Sequence, residues 1–172
     1  PLSLETLADL DTPLSIYLKL ANRPGSYLLE SVIGGERFGR YSIIGLPARR
    51  VITLRGNVLE IRDTGEVVEQ RELEDPLAEI EALRQSYRVP RLPGLPGFTG
   101  GLVGYFGFET IGYIEPRLAG AAPRDTLGTP DVQLMLSEEV AVFDNLKGRL
   151  YLIVHADPAE PQAYARALRR LD

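Results

Sequence analysis

The 172 residues carry 24 acidic and 19 basic side chains, a net charge of −5, and 44% of them are hydrophobic. That apolar share supports a folded domain with a sizeable core, while the acidic balance, with basic residues doubled only at Arg49-Arg50 and Arg169-Arg170, argues against nucleic-acid binding. The absence of cysteine excludes disulfides and thiolate chemistry, and without an apolar run of about 18 residues or a secretory signal a cytoplasmic protein with no membrane contact is expected.

Asp11-Thr12-Pro13 is a helix start, in which an oxygen-bearing cap precedes a proline whose missing N–H costs nothing in a first turn. A short helix is expected over Pro13–Leu20. Asn22-Arg23-Pro24-Gly25 is turn chemistry, and the apolar, tyrosine-bearing residues 26–31 read as a strand before Gly34-Gly35 breaks it. A second strand is predicted over residues 41–44. Residues 50–54, 58–62 and 67–70 then form a meander punctuated by Gly56-Asn57 and Asp63-Thr64-Gly65.

Asp75-Pro76 opens a second helix in which Leu77, Ile80, Leu83 and Tyr87 build one apolar stripe, with Glu79, Glu81 and Arg84 largely outside it. Residues 89–101 hold three prolines and four glycines, which suits a rigid extended connector. Two apolar runs, residues 138–143 and 149–155, flank Asp144-Asn145-Leu146-Lys147-Gly148 and predict a hairpin. Tyr164, Leu168 and Leu171 share one face of a last helix whose other side carries Arg166, Arg169 and Arg170. The whole predicts an α+β fold of mostly antiparallel β-sheet in sandwich layers with peripheral helices. Because the chain begins at Pro1 and stops at Asp172 directly after an amphipathic stretch, residues 1–172 are expected to be one domain of a longer polypeptide.

No catalytic set emerges. His155, the one histidine, closes an apolar strand without the serine or metal-ligand spacing that a triad or zinc site needs, and is expected to be structural. Glu138-Glu139 are adjacent on a predicted strand, where neighbours face opposite ways and cannot act together. Gly101, Gly104 and Gly107 recur every third residue, but neither a Walker lysine nor a strand-to-helix dinucleotide loop accompanies them. Glycines threaded through aromatic and branched residues mark a strand that another backbone or a ligand approaches closely.

Residues 26–46 carry chemistry suited to an amino acid. A zwitterion needs donors for its carboxylate, an acid or carbonyl for its ammonium group, and aromatic or aliphatic walls for its side chain. Ser31, Glu30, Phe38 and Tyr41 could supply these, although a strand-turn-strand corner with no ligand explains the same residues.

The run Leu28-Leu29-Glu30-Ser31, continuing through Gly39-Arg40-Tyr41-Ser42-Ile43-Ile44-Gly45, closely resembles the amino-terminal segment of anthranilate synthase component I. Thr12-Pro13, the stretch from Gly100 to Glu109, and Phe143-Asp144 are similar to the same family in the same order. The resemblance implies an intact enzyme that converts chorismate to anthranilate with ammonia from a glutamine amidotransferase subunit, component II, and that L-tryptophan inhibits. It implies that chorismate and Mg2+ are held by a later catalytic domain, leaving no catalytic residue, metal site or cofactor here, and that this fragment alone is inactive. The inhibitor pocket would include Ser31 and, beside it, Glu30, Phe38, Gly39, Arg40 and Tyr41, completed from that later domain. Aminodeoxychorismate synthase component I of the folate pathway shares the glycine-rich segment in looser form. A stand-alone amino-acid-binding module and a ligand-free interaction domain are rivals from other classes.

Overall fold

The computed structural model describes residues 1–30, 39–115, 117–119 and 125–172. Its described residues form two five-stranded antiparallel sheets with four α-helices, the expected α+β class. The chain divides into two compact units: Pro1–Ala48, Val89–Gly101 and Ser137–Asp172 make the first, Arg49–Arg88 and Leu102–Leu136 the second.

In the first unit the sheet order is β1 (Leu2–Leu7), β10 (Arg149–Val154), β9 (Glu139–Asp144), β3 (Tyr41–Gly45), β2 (Tyr27–Leu29). The central strands are apolar at nearly every position because both faces are covered. Ile44, Ala141, Phe143 and Leu150 pack with Ile16 and Tyr17 of α1 (Pro13–Leu20) on one face. Val140, Val142, Tyr151 and Ile153 pack on the other with Tyr41, Ile43, Leu95 and Phe98, so the proline-rich connector serves as a lid over a sheet face. The α1 start is a full capping box: the Ser15 amide donates to Thr12 Oγ1 and the Thr12 amide to Ser15 Oγ, at 3.1 and 2.9 Å.

The second unit orders its strands β6 (Glu66–Glu72), β5 (Val58–Asp63), β4 (Arg50–Arg55), β8 (Val132–Ser137), β7 (Gly101–Phe106). Ile52, Leu54, Leu59, Ile61, Val132 and Leu134 form its core, covered by Leu73 and by Ile80 and Leu83 of α2 (Pro76–Ser86). After β7 come a single 3₁₀ turn, Phe108–Thr110, and the short α3 (Ile111–Ile114). The glycine-rich stretch is a strand approached by another backbone, as expected: a Cβ on Gly104 would stand 1.8 Å from the Gln133 carbonyl oxygen.

Several expectations are corrected. The strand expected over residues 26–31 is β2, Tyr27–Leu29, among the described residues, and neither β1 nor β8 was anticipated. Tyr87 follows α2 as its cap and leaves the apolar stripe to Leu77, Ile80 and Leu83. Glu138 lies between β8 and β9, its carbonyl accepting from the His155 amide at 2.8 Å, so only Glu139 belongs to a strand. The last helix, α4 (Ala163–Leu171), packs against β1 and β10 through Ala163 and Ala167, while Tyr164 (67% exposed) and Leu168 (46%) face solvent. Small residues let the helix lie close to the sheet, an advantage that the larger side chains of the expected face would have forfeited.

Candidate functional site

The antiparallel register of β2 and β3 runs from Tyr27↔Gly45 to Leu29↔Ile43. It therefore brings the end of β2, where exposed Glu30 follows, to the start of β3, where Gly39, Arg40 and Tyr41 stand. Glu30 and the Gly39–Tyr41 segment thus share one end of the first sheet. Ser31 and Phe38 lie outside the described residues.

The β2–β3 pairing is locked at its other end by Tyr27. Its ring lies so close to Gly45 that a Cβ there would sit 1.9 Å from a ring carbon, and its hydroxyl is 2.8 Å from Ser137 Oγ. Burial pushes the Tyr27 phenol up, an effect that the Ser137 hydrogen bond partly offsets. Glycine is dictated here because the partner strand supplies the side chain that covers it.

At the β3 start the main structure is a clamp that the sequence reading missed. Arg40 donates from Nε to both Asp144 carboxylate oxygens (3.2 and 3.1 Å) and from Nη2 to Oδ2 (2.8 Å), and its guanidinium stands 4.8 Å from the Tyr41 ring centre. Asp144 closes β9, its side chain 0% exposed, and also accepts from the Leu146 and Lys147 amides at 3.1 and 3.2 Å. Its neighbour Asn145 donates from Nδ2 to the Gly39 carbonyl (3.1 Å) and to buried Ser42 Oγ (3.2 Å), and from its amide to the Arg40 carbonyl (2.7 Å). Burial, the largest single influence, pushes the Asp144 carboxyl up; hydrogen bonds from Arg40 and Lys147, the Arg40 charge and the Leu146 amide together outweigh it and hold the group below the usual carboxylate range. In the sequence Asp144-Asn145 reads as turn residues and Phe143-Asp144 as part of the family resemblance, neither of which marks a clamp; the signal for one is an aspartate at the end of an apolar strand with an arginine opening its neighbour.

Tyr41 itself is half-buried against the cluster of Val140, Val142, Tyr151 and Ile153, presenting an aromatic surface beside a cation. No other expected chemistry competes for the site. His155 donates from Nε2 to the Thr99 carbonyl at 2.7 Å, tying the end of β10 to the connector; burial lowers its pKa, with the Thr99 contact opposing. Among the described residues no group of three His, Asp or Glu side chains could hold a metal ion. No helix among them is long and apolar enough to cross a membrane.

These features define an α+β protein whose first sheet is buried on both faces and ends in a polar, aromatic corner. No family model matches the chain. It is 57% identical to anthranilate synthase component 1 of Neisseria meningitidis serogroup C and 56% identical to that of Pseudomonas aeruginosa, in each case over 100% of this chain and 35% of the relative. The crystal structure of anthranilate synthase component I from Streptococcus pneumoniae TIGR4 superposes with a TM-score of 0.60 at 27% identity, covering 96% of this chain and 34% of that one. Over its whole length the chain is similar to anthranilate synthase component I, and it spans about a third of the length of the relatives it matches.

Proposed function

We propose that this chain is the tryptophan-sensing, amino-terminal part of an anthranilate synthase component I. In that reading residues 1–172 regulate a chorismate-using domain that lies in the remainder of a cytoplasmic polypeptide. There chorismate and ammonia, the latter supplied by the component II amidotransferase, yield anthranilate in a lyase reaction, with Mg2+ held outside this chain. In the same reading the isolated chain is inactive, because the chorismate chemistry lies in that remainder. The observation that supports regulation is the juxtaposition of Glu30 with Gly39, Arg40 and Tyr41 at one sheet end. Glu30 offers a carboxylate to an ammonium group, backbone and hydroxyl groups offer donors to a carboxylate, and an indole finds an aromatic wall. The family resemblance adds Ser31 and Phe38 to the same site, with the remainder of the polypeptide completing it.

Inhibition requires that tryptophan bind one arrangement of the intact subunit better than another, since a ligand shifts an equilibrium only by its differential affinity. Calorimetric titration tests the proposal. The intact subunit should bind tryptophan, Ser31→Ala should weaken binding, and the 172-residue chain alone should bind poorly. Tight binding by the isolated chain would overturn the shared pocket, and absence of binding by the intact subunit would overturn tryptophan sensing altogether.

A further inference from the structure

The Gly39–Ser42 segment has no regular structure of its own before Tyr41, yet a neighbouring turn holds it at five points. Three of these are the Arg40 contacts to Asp144, one is the Asn145 amide on the Arg40 carbonyl, and one is the Asn145 side chain shared between Gly39 and Ser42. The geometry points to Asp144 and Asn145 as positioning residues that set the amino-acid affinity of the site by fixing Arg40 over Tyr41, without touching the ligand themselves. This inference rests on the tryptophan-sensing role proposed above.

The chemistry separates two possible duties of Arg40. A guanidinium that reaches for a ligand carboxylate needs its planar fork turned toward the ligand. Here the Nε and Nη2 edge of the fork is engaged by a wholly buried carboxylate, which in turn is fixed by two backbone amides of the β9–β10 turn. Arg40 therefore acts as a strut: Asp144 fixes its plane, and its face lies 4.8 Å from the Tyr41 ring centre. The ring packs against the sheet cluster of Val140, Val142, Tyr151 and Ile153 and lies beside the cation, so part of its freedom is spent before ligand arrives, and preorganisation of this kind raises affinity. Asn145 fixes the backbone on either side of Arg40 in the same way.

The measurement exploits the absence of tryptophan from this chain: apart from any tryptophan elsewhere in the polypeptide, the ligand's own indole emission reports its capture. Titrations on the intact subunit would compare wild type, Asp144→Asn, Asp144→Glu and Asn145→Ala. Asparagine keeps an acceptor for the Leu146 and Lys147 amides and removes the buried charge, so the turn survives while the strut is released. Affinity should fall about tenfold or more in Asp144→Asn and in Asn145→Ala, and Asp144→Glu, which restores the charge, should recover part of it. Far-ultraviolet circular dichroism and the unfolding midpoint, taken on the same samples, identify any variant that fails to fold; for such a variant the comparison of Asp144→Glu with wild type decides. Wild-type binding with unchanged affinity in the folded variants would overturn the positioning role alone. Wild type that binds no tryptophan would overturn the sensing role and the inference with it.

Discussion

Asp144 shows why a buried charge is tolerable only in company. Removing Arg40 leaves a carboxylate with no exposed surface without its counter-charge, and Arg40→Ala should lower the urea midpoint at neutral pH. Asp144→Asn, which removes the charge together with the need to neutralise it, should cost distinctly less. The sign with pH follows from linkage. The folded-state pKa of Asp144 lies below its unfolded value, so its stabilisation is complete above the ordinary carboxylate value, about 3.9, and is lost as pH falls through the lower folded value. His155 behaves likewise in a higher window: its depressed pKa makes stability full above about 6.5 and declining as pH drops below that. His155→Gln should flatten the urea midpoint between about pH 8 and pH 5; an unchanged slope would assign the dependence elsewhere. Glycines answer to sterics instead. Gly104→Ala drives a methyl group into the Gln133 carbonyl and should destabilise by at least about 1–3 kcal/mol.

At the scale of elements, what was legible in the sequence is what is local. The Thr12-Pro13 start gave α1 its observed bounds because a cap acts within four residues, and Thr12→Ala should cost about 1 kcal/mol by thermal unfolding. The hairpin around residues 144–148 was legible for the same reason. By contrast β1 pairs with β10 from Leu2↔Val154 to Leu7↔Arg149, a mostly exposed edge strand whose Leu-Ser-Leu-Glu alternation breaks at Thr6, too short a pattern to mark a strand without its distant partner. The face of α4 was misread because side-chain size outranks hydrophobicity where a helix lies against a sheet. Ala167→Leu should therefore destabilise by about 1–3 kcal/mol, whereas Leu168→Ser, on the exposed side, should stay within about 0.5 kcal/mol. Equal effects at the two positions would restore the sequence-based assignment. The candidate site was half legible: the family motif marked Glu30 and residues 39–41, but the clamp that holds them is more than 100 positions away, and no local pattern encodes a pairing of that range.

Over the whole molecule, the surface distinguishes strand edges that are guarded from one that is not. β6 ends its sheet with Glu66, Glu69, Arg71 and Glu72, and charged side chains of this density discourage pairing with a second chain. β7 ends the same sheet on the opposite side with Gly-Leu-Val-Gly-Tyr-Phe, six residues without a charge, followed by Phe108, 87% exposed, and by exposed Ile111 and Ile114. An uncharged edge beside aromatic side chains is a template for strand addition and an apolar surface that water disfavours. The 172-residue chain, expressed by itself, should therefore self-associate in a concentration-dependent way, and sedimentation velocity should show mass above 19.0 kDa at micromolar loading. Phe106→Lys places a charge on that edge without touching the described core, and should return the sedimenting species to the monomer while leaving the circular dichroism spectrum unchanged. A wild-type chain that stays monomeric, or a Phe106→Lys chain that associates as readily as wild type, would show that this edge is harmless and that the apolar residues flanking it are already satisfied within the fold.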